Sequence, residues 1–341
     1  MTKKRSIWIA IFIAVSLLLS ACGEKSQEDV VEELQENLEE LSGYKASAQM
    51  KMNTGQEEQK YNIDVWHKKE DFYRVALSSD ESENGSQIIL KNKEGVFVLT
   101  PELNKSFKFQ SEWPENSSQP YLFQSLVNDI LSDEELVFST TESEYVFQTK
   151  TNYQSNNSLP LQEIYIDKGS YTPVLVKVLD NDKNVAVEVS FSKFEVDPSF
   201  GENDFEIEKN METAALDDED VPASGDVSDD TFAVLVPNQT VGAELTDRIE
   251  EDIENGKRII STYSGEKNFT LVQEKRDVVP TLSSPQEVNG DIVNLGHAVG
   301  ALSETAVEWD YEGMNFYLAS DQLTREELIE VAQSVVGTEV K

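Results

Sequence analysis

The chain has 341 residues, with 65 acidic against 28 basic side chains, a net charge of −37 and a single Cys. So acidic a surface repels phosphate backbones and anionic head groups, which excludes nucleic-acid binding and charge-driven membrane adsorption. One thiol excludes an internal disulfide and a thiolate metal cluster.

Lys3, Lys4 and Arg5 form a positive n-region, and Ile7 to Leu19 is an apolar run of 13 residues. That is shorter than the ~20 residues a spanning helix needs and fits the h-region of a secretory signal. Leu19, Ser20, Ala21 and Cys22 follow. These four residues resemble the lipobox of bacterial lipoproteins. The resemblance implies cleavage before Cys22, acylation of its thiol, and a location on the extracytoplasmic face of the cell membrane. Each buried methylene of such an anchor adds about 0.8 kcal/mol. Residues 1–21 are thus read as signal peptide and 22–29 as a lipidated tether. Without Lys3, Lys4 and Arg5 the net charge becomes three units more negative, at −40.

Val30, Leu34, Leu38 and Leu41 recur at helical spacing with Glu residues between them, and Gly43 stops the pattern. From Tyr44 the period is two. Tyr61, Ile63 and Val65 alternate with polar residues, as do Phe107 and Phe109, Ile164 and Ile166, and Val174, Val176 and Val178. Segments 72–77, 87–90 and 96–100 also read as strands between polar turns. This predicts a large antiparallel meander. A helix interrupts it, with Pro120 in its first turn and Leu122, Phe123, Leu126, Val127 and Ile130 on its apolar side. In the strand at 185–196 the apolar phase slips between Phe191 and Phe194, which predicts a β-bulge. Asp180-Asn-Asp-Lys-Asn184 has Val185 where a calcium loop needs Gly and Phe191 where it needs Glu, so it reads as a polar hairpin turn.

Residues 202–230 carry 12 acidic side chains against one Lys. The stretch 211–229 reads as a self-repelling linker. Beyond it, 232–236 is expected as a strand closed by Pro237. A hairpin around Ser264-Gly265 follows, then strands within 293–302 and 306–318. A C-terminal helix has Thr324 and Glu327 in a capping box. This is a small α+β domain, 230–341.

The order of elements resembles the outer-membrane lipoprotein carrier and sorting (LolA-like) superfamily. The carrying residues are Leu34, Leu38 and Leu41 running into Gly43-Tyr44-Lys-Ala46; Val65-Trp66-His67 through Phe72-Tyr73-Arg74; and Val174 to Phe194 leading to Asp204-Phe205-Glu-Ile207. With the tail motifs 232–237, Trp309…Gly313…Tyr317-Leu318 and 323–329, the chain is similar to sporulation-associated lipoproteins of Gram-positive spore formers. The resemblance implies a mainly β, α+β chain. Its domain at 30–210 would be an incomplete antiparallel β-barrel, apolar inside, with plug helices. It implies an acyl chain, a lipoprotein or an envelope protein as ligand. Arg74, Trp66, Phe107, Phe109 and Phe123 become the candidates for cavity or lid contacts.

No HExxH, P-loop, Gly-x-Ser-x-Gly or dinucleotide loop occurs. His67 and His297 fall in different predicted domains. The expectation is a membrane-anchored, noncatalytic binding module without metal or cofactor, acting in sporulation or envelope assembly. The alternatives are a docking partner or regulator of a cell-wall enzyme, and a cell-wall hydrolase.

Overall fold

The computed structural model describes residues 25–53, 58–79, 86–110, 112–115, 117–153, 159–216, 234–253, 256–276, 285–288, 290–296, 298–311 and 313–335. The signal, the lipobox, Cys22 and His297 lie outside them.

The first helix, α1 (Gln27–Glu40), belongs to a unit of its own that ends at Glu39. It starts three residues earlier than the apolar spacing predicts. Ser26 explains this: its Oγ accepts the Asp29 N–H, and the Asp29 carboxylate accepts from Ser26 in return. This reciprocal cap satisfies donors that a helix start leaves open.

The unit from Glu40 onward is built on two sheets. Its first eleven strands are β1 (Gly43–Asn53), β2 (Glu58–Lys68), β3 (Phe72–Ser79), β4 (Gln87–Asn92), β5 (Gly95–Thr100), β6 (Lys105–Phe109), β7 (Val137–Thr140), β8 (Glu144–Lys150), β9 (Leu161–Asp167), β10 (Pro173–Leu179) and β11 (Val185–Val196). All pair antiparallel in the order β6-β5-β4-β3-β2-β1-β11-β10-β9-β8-β7. The predicted slip is a bulge at Ser192: Ser47 faces Lys193, but Ala48 faces Phe191. The Asp180 turn spends its carboxylate on itself, accepting the N–H groups of Asp182 and Asn184 at 2.9 and 2.8 Å.

Alternation gives this sheet two unlike faces. Tyr44, Met50, Ile63, Val65, Val75, Ile164 and Val189 point to one side and are buried. There they meet α2 (Phe123–Ser132), whose Phe123, Leu126, Val127 and Ile130 are buried. Burying each such side chain stabilises the fold by roughly 1.5–3 kcal/mol. The helix begins three residues after Pro120, because Leu122 holds an extended conformation at the cap. On the other side, Ile88, Leu90, Phe97 and Leu99 pack with Phe205 and Met211. Met211 belongs to α3 (Ile207–Leu216), so the chain is helical through six residues expected as linker. The buried Met211 contact is what extends it.

The second sheet holds β12 (Ala243–Ile253), β13 (Gly256–Gly265), β14 (Phe269–Arg276), β16 (Asp291–Asn294), β17 (Val299–Leu302), β18 (Ala306–Tyr311) and β19 (Met314–Ala319). Its order is β12-β13-β14-β19-β18-β17-β16. One face is closed by α4 (Arg325–Gln333), through Leu328, Ile329, Val331 and Ala332. The capping box is present: Thr324 Oγ1 accepts the Glu327 N–H, and Glu327 accepts the Thr324 N–H. Segment 234–236, expected as a strand, pairs through a side chain instead. The Gln273 amide accepts the Leu235 N–H and donates to its carbonyl.

The remaining strand, β15 (Gln286–Val288), leaves the second sheet and pairs parallel with β6. Among the described residues the first sheet thus has twelve strands. It stays open, with β15 at one end and β7 at the other, instead of closing into a barrel.

Candidate binding site

The inner face of the first sheet is met by the second sheet along a seam. Met50 and Met52 of β1 and Val187 of β11 line one wall. Ile292 and Asn294 of β16 with Ile329 and Gln333 of α4 line the other. Ser117 to Pro120, Tyr153 and Leu159 close the side. The space left is about 70 Å³, room for only a few waters at a ~30 Å³ share each.

Beside this apolar space sits a polar cluster. Gln162 is fully buried and donates to the Asp129 carboxylate at 2.6 Å. Burial lifts the Asp129 carboxyl to about 6, against the opposing hydrogen bonds from Gln162 and Ser118. Tyr121 donates to Gln119 at 2.8 Å. The Tyr153 hydroxyl is buried without a hydrogen-bond partner among the described residues. Burial, then the nearby Asp129 charge, pushes its pKa far up. The cluster therefore offers one neutral donor and one titratable carboxyl next to an apolar wall.

Gly296 sets the closeness of the seam. Its φ is +86°, a region that L residues rarely adopt, and a Cβ there would overlap the Met52 thioether.

A second part of the seam is tighter still. Phe107, Phe109 and Val98 face Val299 to Ala301 and Trp309 around about 10 Å³. Gln87 bridges it, its Oε1 accepting the Val299 N–H at 2.7 Å and its Nε2 directed to the Asp310 carbonyl. Lys105 pairs with the buried Asp310 carboxylate at 2.8 Å.

The five predicted contact residues fall in three places. Phe107 and Phe109 reach the tight part of the seam. Phe123 packs under α2 against Tyr44 and Phe194, at ring distances of 6.3 and 5.6 Å. Trp66 and Arg74 are on the opposite face, because they alternate with the inward Val65 and Val75. The Arg74 guanidinium stacks 4.7 Å above the Trp66 ring, and its Nε donates to Asn210 on α3 at 2.5 Å. Arg74 thus fastens a helix to the outer face. His67 is buried between Tyr44 and Tyr73. Burial lowers its pKa to about 4. Among the described residues no cluster of three or more His, Cys, Asp or Glu side chains could hold a metal.

Gln87, Asp129, Tyr153 and Gln162 escape the sequence reading. Gln87 and Gln162 do carry a signal. Each is a polar residue on the parity of its strand's inward apolar side chains, Ile89 and Ile164.

A family model described as "Sporulation protein YdcC-like" matches residues 2–205. The chain belongs to that family. Sporulation protein YdcC of Bacillus subtilis (strain 168) is 46% identical over 340 residues, covering 99% of both chains. Solved structures that are similar include the MucA/MucB complex of Pseudomonas aeruginosa, at 13% identity and TM-score 0.34, covering 90% of this chain and 97% of that one. Another is a putative outer-membrane lipoprotein-sorting protein domain from Vibrio parahaemolyticus, at 14% identity and TM-score 0.32, covering 55% and 99%.

Proposed function

We propose that this chain is a noncatalytic binding module of the sporulating cell envelope, tethered by lipid on Cys22, whose ligand is another protein. The observation that carries the choice of ligand is the filled inner face. A carrier of acyl chains needs a hollow there. A 16-carbon chain occupies about as much space as 16 waters, each methylene being near the ~30 Å³ share of one water. The seam offers about 70 Å³, roughly a seventh of the ~480 Å³ that sixteen such methylenes fill, and the buried Phe123, Leu126, Val127 and Ile130 of α2 take up more of the apolar surface. An acyl or lipoprotein-lipid cargo would have to displace packed side chains, each stabilising by roughly 1.5–3 kcal/mol. A cell-wall enzyme is one partner this reading accommodates.

Two measurements test it. Native mass spectrometry after gentle extraction should give the mass of the chain with its own anchor and no further acyl species. Cross-linking in sporulating cells should join the anchored chain to one specific envelope protein. A retained lipid ligand, or no specific partner, overturns the reading. Cys22→Ala should move the chain out of the membrane fraction.

A further inference from the structure

Among the described residues the second sheet ends in a long, mostly exposed strand. β12 has eleven residues and is the terminal strand of its sheet. Edge strands present unpaired N–H and C=O groups, and proteins commonly blunt them with Lys, Pro or brevity. Between Ala243 and Ile253 there is no Lys and no Pro; the edge is interrupted by a bulge at Thr246 and guarded by acidic side chains.

The strand also starts an apolar row on the solvent side of the sheet. Ile249 is directly opposite Ile260, Ile260 opposite Val272, and Val272 opposite Tyr317. The row crosses four strands, about 14 Å at ~4.8 Å per strand. Its ends are open: Ile249 is 46% exposed and Tyr317 43%. Asp247 and Glu251 flank Ile249 on the same face. With Glu244, Glu250 and Asp252 they give β12 five acidic side chains against Arg248 alone.

That charge decides the occupant. A second copy of β12 would set carboxylates against carboxylates, which is destabilising for directly opposed strand residues. An anionic bilayer is repelled in the same way. A strand bearing Lys or Arg gains on both counts.

We propose that β12 takes up one extended, basic segment of the protein partner as an added strand. An apolar side chain of that segment opposite Ile249 lengthens the row, and Lys or Arg two positions to either side of it, on the same face, meet Asp247 and Glu251. Main-chain pairing supplies affinity, and the row and the acids supply selectivity. This rests on the reading of a protein ligand and names the surface that receives it.

The probe is a synthetic nine-residue peptide, Lys-Thr-Lys-Thr-Ile-Thr-Lys-Thr-Lys, which sets its central Ile and the Lys two positions either side on one face of a strand, titrated by fluorescence anisotropy into the full chain in detergent. It should bind the wild type. Ile249→Lys and the double variant Asp247→Lys/Glu251→Lys should each weaken it at least tenfold. Val137→Lys, on the edge strand of the other sheet, should leave it unchanged. The same peptide N-methylated at alternate residues should lose binding to the unaltered chain, an arm that does not depend on any variant folding. No binding by the wild type, equal binding of the N-methylated peptide, or an equal effect of Val137→Lys overturns the proposal. If Ile249→Lys still cross-links to the envelope partner, this surface is wrong while the binding-module reading stands. If the wild type has no partner, that reading itself fails.

Discussion

Gln87 accepts the backbone N–H of Val299 at 2.7 Å, joining the inner face of one sheet to a strand of the other. Both groups are buried. Gln87→Leu would leave the Val299 N–H without a partner, and a buried unsatisfied donor costs about 1–3 kcal/mol. Chemical denaturation should show a loss of that size. A stability equal to wild type would mean the bridge contributes nothing to the seam.

Two buried titratable groups have opposite effects. Asp129 is lifted from 3.8 to about 6, so the folded chain keeps a proton that the unfolded chain has lost between those values. Its contribution to stability therefore falls as pH rises from about 4 to 6, by up to roughly 3 kcal/mol. His67 is lowered from 6.5 to about 4, so the folded chain refuses a proton that the unfolded chain takes. Its contribution rises with pH over about 4 to 6.5, by a similar amount. Together they nearly cancel. Asp129→Asn should leave a stability that climbs over this window, and His67→Gln one that declines. Urea midpoints between pH 4.5 and 7.5 check this. Identical profiles for the two variants would refute it.

Gly296→Ala should destabilise by about 2 kcal/mol or more, combining φ strain with displacement of Met52. Adding Met52→Ala removes the overlap and leaves the strain. The double variant should then lose less than the sum of the singles. Strict additivity would show that the two residues do not meet.

Arg74→Ala should free α3 from the outer face. A hydrogen bond from a charged donor is worth about 1.5–3 kcal/mol, and the stacking on Trp66 goes with it. Amide exchange in 207–216 should quicken while that of α2 stays unchanged. Arg74→Lys should not restore it, since an ammonium cannot reproduce the planar stack. Unchanged exchange in 207–216 would mean that the apolar packing of Ile207 and Met211 holds the helix.

How much of this was legible depends on the residue. Alternation at Tyr61, Ile63 and Val65, and at Ile164 and Ile166, placed the inner face of the first sheet, because one buried face fixes the parity of a whole strand. The slip between Phe191 and Phe194 announced the bulge. β12 carries no such signal. Its acids and its mostly exposed side chains leave no alternation to read, and pairing with β13 alone makes it a strand. Trp66 and Arg74 group with Phe107 in the sequence because it shows aromatic character but not the side of the sheet when both faces are covered. The cover on the second face is α3, in a stretch whose acidity reads as linker. Tyr153 belongs to an Asn- and Ser-rich stretch and becomes notable only when the seam closes over it.

The parallel pairing of β15 with β6 also bears on how the chain is made. Its two partners are far apart in sequence, and contacts of such separation form late and slowly. While the chain is being made, the β6 edge stays unpaired until the residues around 286–288 have followed. During that interval Phe107 and Phe109 lie on an open, apolar edge, the kind that pairs with other chains. A truncation before residue 286 would make that interval permanent. Aggregation during folding, more than lost binding, is then the expected defect.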